Sequence, residues 1–288
     1  MKKIISICVA SMVLASAAAF AQQDFSSIVV KVHPVTGNVY YLEGAGGNIG
    51  VSIGEDGVLL VDSDYLEMSE KVAAAVATLS DLPVRFVVNT HWHFDHVGGN
   101  ENFGKMGTLI FGHDNVRIQM ELAGYTEEPP LVTFKRDMTF HINGDTVRVF
   151  KTPNAHTNGD AYIKFENANV VHTGDVYRTT SYPYIDTSNG GSFLGTIAAY
   201  DLLIEVSDAD TKILPGHGVL SNVGEVRVVR DMMLVIRDRV KSRVAAGDTL
   251  EQVQNGGLTD EYDDRWESGR RIGSASALLS TAYEDMTR

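Results

Sequence analysis

Residues 89 to 100 read NTHWHFDHVGGN, which places His91, His93, Asp95 and His96 within six positions of one another. Neutral imidazole and carboxylate are the donors that zinc and its neighbours in the first transition row accept. In an extended segment, side chains at i, i+2 and i+4 share a face, so His91, His93 and Asp95 are expected to converge. His96 then falls on the opposite side as the chain turns through Gly98 and Gly99. One loop offers too few donors for a closed site, and three later positions add to it: His156 in TPNAHTNGD, Asp175 in VVHTGDVY and His217 in ILPGHG. Each stands beside a glycine at the end of an expected strand.

Taken in order, HWHFDH, AHTNGD, HTGD and PGHG resemble the metallo-β-lactamase superfamily, over about residues 28 to 244. The resemblance implies an α/β (α+β) fold, a four-layer αβ/βα sandwich with its site at the edge shared by two sheets. It also implies a ligand set: His91, His93 and His156 on one metal, Asp95, His96 and His217 on a second, and Asp175 bridging the two. β-Lactamases with a cysteine at the second zinc carry it where this chain has Asp175, whereas glyoxalase II and lactonase types have a bridging aspartate. Arg178 stands three residues past Asp175, where many cysteine-type β-lactamases have a lysine that grips the substrate carboxylate. A guanidinium can do the same through two parallel hydrogen bonds.

The chemistry expected is hydrolysis. Two metals about 3.5–4 Å apart share a water, lower its pKa toward about 7 and so hold a hydroxide at neutral pH. Asp95 orients that nucleophile and passes a proton to the leaving group. Two zinc ions are expected, with iron or manganese also compatible with an all-His/Asp set. Asn189, in SNGGS, is a candidate donor to the developing oxyanion or else a turn residue. Asp62, at the end of VLLVDSD, is a candidate acceptor for the second ring N–H of a ligand histidine or else a cap. His33, His113, His141 and His172 read as packing, edge or capping residues, with His172 close enough to Asp175 to support it.

The elements that must position these residues are short strands broken by glycine turns, SIVVKV, NVYYLEG, GGNIGVSI and VLLVDSD, and then a helix from about Met68 to Leu79. VRFVVNT is a buried strand leading into the histidines. TLIFG begins a second part, with a helix from about Asp114 to Ala123 and a loop through Pro129-Pro130. Strands resume at MTFHI, DTVRVFKT, DAYIKFEN and NVVHTGD. Helices follow at about 194–206, 223–244, 249–254 and 275–283. This order predicts two sheets face to face with helices outside.

Residues 1–21 have the layout of a secretory signal peptide, with Lys2 and Lys3, an apolar stretch and Ala19-Phe20-Ala21. Residues 22–288 are then one exported domain, periplasmic or secreted, ending in a helical tail from about residue 245. No later stretch is apolar enough to span a bilayer, so the mature chain is expected to have no membrane anchor. Its only cysteine, Cys8, lies in the signal, which excludes disulfides and a cysteine nucleophile from the mature chain. A formal net charge of -13 repels phosphate backbones, so the expected partner is a small molecule and not nucleic acid.

The function expected is therefore an exported di-metal hydrolase that opens a cyclic amide or ester, β-lactamase-like and so a candidate for antibiotic resistance. The alternatives are a lactonase or thioesterase of the glyoxalase II type and, more remotely, an iron-dependent redox enzyme. Resembled di-iron reductases usually replace the second histidine of the cluster with glutamate and carry a flavin domain, and this chain has His93 and no such domain.

Overall fold

The computed structural model describes residues 24–125 and 127–288, and the expected signal peptide lies outside them. Seven strands form the first sheet in chain order: β1 (Lys31–Thr36), β2 (Val39–Glu43), β3 (Ile49–Ser52), β4 (Val58–Val61), β5 (Val84–Val88), β6 (Leu109–His113) and β7 (Val132–Phe134). Six more form the second, again in chain order: β8 (Asp137–Ile142), β9 (Asp145–Lys151), β10 (Ala161–Phe165), β11 (Val170–His172), β12 (Lys212–Leu214) and β13 (Ser221–Asn222). The first sheet is antiparallel from β1 to β4 and parallel from β4 to β7. In the second only β11 and β12 run parallel.

Alternation along the strands builds the layers. In β4, Leu59 and Val61 face the second sheet while Val58 and Leu60 face outward, and all four are fully buried. In β10, Ala161, Ile163 and Phe165 face the first sheet and Tyr162 points away. A strand that is apolar on both faces must be covered on both. Accordingly α1 (Ser69–Ala77) packs on the outside of the first sheet through Val72, Ala75 and Val76. Between β5 and β6 the chain forms α2 (Phe94–Val97) and α3 (Asn100–Lys105), and α4 (Asp114–Leu122) links β6 to β7.

The outside of the second sheet is covered by α5 (Phe193–Glu205) and α6 (Val223–Ala245). Three further helices, α7 (Leu250–Gln254), α8 (Asp260–Trp266) and α9 (Ala275–Thr287), put Val253, Trp266, Leu278 and Leu279 into that same cluster. The expected tail is thus part of the outer layer, and the four-layer sandwich stands. No helix among the described residues is long and apolar enough to cross a membrane.

Some elements differ from the sequence reading. The segment taken as a loop through Pro129-Pro130 ends in β7, where Leu131 N–H already bonds Ile110 O at 2.9 Å. The strand in SIVVKV starts only at Lys31, because its partner β2 ends at Glu43 opposite that residue. The short elements α3, α8 and β13 gave no period long enough to read.

Candidate metal centre

The candidate donors follow the carboxyl ends of strands. Asp62 follows β4, His91 to His96 follow β5, His156 lies beyond β9, Asp175 beyond β11 and His217 beyond β12. The carboxyl ends of parallel strands are where open α/β sheets gather ligands. One expectation is corrected here. His93 is still extended (φ -64°, ψ 149°), but the next residues turn into α2, with His96 and Val97 N–H bonded to His93 O at 2.9 and 3.0 Å. The helical turn carries Asp95 away from His91 and His93 and toward His96 and His217. Three sets of donor atoms therefore lie within 4.8 Å of one another: His91 with His93 and His156, His91 with His96 and Asp175, and Asp95 with His96 and His217.

The hydrogen bonds fix which nitrogen of each ring faces inward. Thr90 N–H and O–H both donate to Asp62, each at 2.7 Å, so His91 Nδ1–H must donate to Thr90 Oγ1 at 3.0 Å. His91 Nε2 is left with a lone pair, buried and without a partner. His156 Nδ1–H donates to Tyr184 O at 2.7 Å, and His93 Nε2–H donates to Asp186 Oδ2 at 2.9 Å. The two remaining lone pairs, His156 Nε2 and His93 Nδ1, face each other at 2.9 Å. Two acceptors at that distance repel unless a cation lies against both. His96 Nδ1–H donates to Asp62 Oδ2 at 2.8 Å, which turns His96 Nε2 toward Asp175 Oδ1 at 3.2 Å. Neither of those two facing atoms makes a hydrogen bond. His217 Nε2 lies 3.1 Å from Asp95 Oδ2 and 3.3 Å from Asp175 Oδ2. Unpartnered buried donors converging in this way fit metal ions, and the outer carboxylates and carbonyl fix the ring orientation that metal binding needs.

The electrostatics divide the cluster. Burial, reinforced by neighbouring imidazoles, holds His91 well below the usual histidine range and His156 down at about 3, so both are neutral, the form that binds metal. Around His96 and His217 burial works in the same direction, but Asp95 and Asp175 outweigh it. His96 is raised well above its ordinary value, with Asp62 adding to the effect, and His217 is raised to about 9. Burial would raise Asp95 and Asp175, yet those histidines bring Asp95 down to about 2 and hold Asp175 well below the carboxylate range. The negative charge gathered there favours a cation.

Several supporting residues were not visible in the sequence. Asp186 orients His93 although 93 positions separate them. Asn189, a candidate oxyanion donor, instead gives its side-chain N–H to Asp186 Oδ2 at 2.7 Å, which makes it a brace for that carboxylate. Asp62, read as a histidine acceptor or a cap, accepts from His96 Nδ1–H. Asp64 accepts from Ala45 and Gly46 N–H at 3.1 and 2.9 Å and so ties the β2–β3 loop to the site. At Gly47 a Cβ would come within 2.2 Å of the His96 ring, so no side chain fits there. His172 accepts from Gly174 N–H at 3.1 Å and donates to Asn48 O at 3.0 Å, supporting the Asp175 turn without reaching the donors. His113 caps α4, and His33 pairs with Glu43.

Asp160 closes the His156 turn, accepting from Thr157 N–H at 2.9 and 3.0 Å. Burial pushes it up to about 6, against the Thr157 hydrogen bonds and Lys151. A folded-state pKa above the unfolded one means that its stabilising share is present below about pH 4 and is lost as pH rises to about 6. Denaturant melts of wild type and Asp160→Asn should show the difference between them shifting against wild type by on the order of 2–3 kcal/mol from pH 4 to 7. A pH-independent difference would contradict this.

The donors open into a cavity of about 1180 Å³ lined by His93, Asp95, Asp175 and His217, with Arg178 and Tyr184 on its wall. Arg178 pairs its backbone with His217, and its Nε is buried without a partner.

Comparison with known proteins agrees with this geometry. Residues 34–217, more than half of the chain, match the family model described as the metallo-beta-lactamase superfamily. No curated protein matches. Among solved structures, a metallo-beta-lactamase from Pontibacter korlensis is 19% identical with a TM-score of 0.64, covering 71% of this chain and 99% of that one. The DIM-1 metallo-beta-lactamase is 14% identical with a TM-score of 0.63, covering 72% of this chain and 98% of its own. The stereoselective inverting sec-alkylsulfatase Pisa1 from Pseudomonas sp. is 16% identical with a TM-score of 0.72, covering 89% of this chain, which spans half of the sulfatase. At these identities the structures establish a shared fold.

Proposed function

Because the chain belongs to the metallo-beta-lactamase superfamily, whose members are metal-dependent hydrolases, we propose that it is an exported di-metal hydrolase that opens a cyclic amide or ester. His91, His93 and His156 would hold one ion and Asp95, His96 and His217 the other, with Asp175 within reach of His91, His96 and His217. The observation that carries this reading is the convergence of the inward ring nitrogens of His91, His93, His96 and His156, whose other ring N–H groups are all committed elsewhere. When bound, such a pair of ions, zinc by the donor set and the family, supplies a hydroxide at neutral pH and polarises the carbonyl. The chain's own residues do the rest. Asp95, ionised and open to the cavity, would orient the nucleophile and pass its proton to the leaving group. Arg178 grips a substrate anion beside the reacting bond.

Asp175 favours a second reading, a lactonase or thioesterase without useful lactam activity. One assay separates them. The purified, metal-loaded chain is given a chromogenic cephalosporin and a panel of lactones, thioesters and a secondary alkyl sulfate, each with and without chelator. The sulfate is included because the alkylsulfatase likeness covers more of this chain than the lactamase likenesses do. Chelator-sensitive cephalosporin turnover with kcat/KM at or above about 10⁴ M⁻¹s⁻¹ is the expected result. Turnover confined to esters selects the second reading, and hydrolysis indifferent to chelator contradicts both. In the same assay Arg178→Ala should raise KM about tenfold or more for carboxylate-bearing substrates and leave neutral lactones within about twofold. Equal loss on both would mean that Arg178 acts on the fold and not on the substrate.

A further inference from the structure

The loop between α8 and α9 reaches the same cavity from the far end of the chain. Glu267, Ser268, Arg270, Arg271 and Ile272 line it opposite Asp95 and His217. The loop is built rather than loose. Glu267 accepts from Gly269 N–H at 3.0 Å and from Ala275 N–H at 2.8 Å, so both carboxylate oxygens are turned into the loop's own backbone. Its base is fastened to the segment after Arg178: Tyr182 N–H bonds Trp266 O at 2.9 Å, and Tyr182 O–H donates to Asp263 at 2.7 Å. At Gly273 (φ +72°) a Cβ would come within 2.2 Å of Ser181 Oγ, so the two segments touch at backbone distance.

The cations of this loop stand apart from most others in the chain. Arg117, Arg148, Arg230, Arg237, Arg239, Arg243, Arg265 and Arg288 all pair with carboxylates. Arg85, Arg136, Arg178, Arg227, Arg270 and Arg271 pair with none within 4.0 Å among the described residues, and of these Arg178, Arg270 and Arg271 line the cavity. Arg271 and Arg178 line the same cavity as Tyr184. In a protein of formal net charge -13, unpaired guanidiniums gathered in one cavity are the local exception. A forked guanidinium pair is suited to a carboxylate or sulfate.

We infer that Arg270 and Arg271 form an anion subsite on this loop, so that the substrate carries a carboxylate or sulfate set apart from the bond that is cleaved. The inference rests on the hydrolase reading for what the cavity is used for, but its test needs no turnover. Glutarate, inorganic sulfate and the neutral glutaramide are titrated calorimetrically into wild type, Arg270→Ala/Arg271→Ala and Arg237→Ala, each metal-loaded and chelated. Arg237 is the control because it is ion-paired on α6, away from the cavity. The double variant should bind glutarate or sulfate at least about tenfold more weakly in both metal states, with glutaramide unchanged and the control like wild type. Whichever anion shows the larger loss identifies the head group. Equal anion binding in wild type and double variant, or the same loss in the control, overturns the subsite. Chelator-insensitive hydrolysis would remove the catalytic reading and leave this result standing.

Discussion

His91→Ala should lower kcat/KM by at least about 10³-fold and reduce bound metal to below one equivalent per chain, with the fold retained. The size follows from position. His91 is buried, and its one inward nitrogen belongs to two of the three donor sets, so its loss takes away the donor that faces both His93 with His156 and His96 with Asp175. Its ring has one outer partner, Thr90 Oγ1, which keeps its bond to Asp62 when the imidazole is gone. The structural cost is then mainly the cavity left by a ring, about 1–3 kcal/mol. Metal analysis, kinetics and circular dichroism on one preparation check the three parts together. Full activity in a metal-replete assay would refute the assignment of the first set.

Asp62 carries the second large effect, and here fold and site respond together. Its carboxylate is fully buried and accepts from Thr90 N–H, Thr90 O–H and His96 Nδ1–H. Asp62→Ala strands all three donors, each costing about 1–3 kcal/mol when buried and unpaired. The backbone there has φ 69°, a left-handed conformation that aspartate tolerates better than alanine. A loss of about 3–5 kcal/mol is expected, read as a melting temperature lower by about 6–15 °C. Asp62→Asn separates the roles, because an amide keeps an acceptor for Thr90 N–H but presents N–H where His96 needs an acceptor. Its stability should fall much less, while affinity for the second metal drops about 10–100-fold. Equal metal affinity in Asp62→Asn and wild type would mean that the His96–Asp62 bond does not tune the site.

The contrast between these two residues shows what the sequence could reveal. His91 was legible because HWHFDH concentrates donors in one stretch, and the layers were legible because VLLV and AYIKF alternate between two buried faces. Asp62 was legible as an outer carboxylate because it ends a buried strand. Asp186 was not: nothing local marks an aspartate whose partner lies 93 residues away. Asn189 ends a turn before Gly190, as one of its two readings had it, but its bond to Asp186 went unread with that carboxylate. The alternation H-x-H-x-D suggested an extended run through Asp95, and a single turn of helix is too short to betray itself by period. The loop carrying Arg270 and Arg271 was read as part of a helical tail, because only the docking of α8 on Tyr182 brings it over the cavity.

Seven side chains are proposed to hold two metal ions in one site. The most direct test is to strip the chain lacking residues 1–21 with chelator, return zinc, and measure bound metal together with regained hydrolysis. Two equivalents per chain are expected, with activity appearing as the site fills, and with Asp175→Asn losing the second ion before the first. Saturation at one equivalent or none, or a stripped protein that hydrolyses as fast as the loaded one, would contradict it.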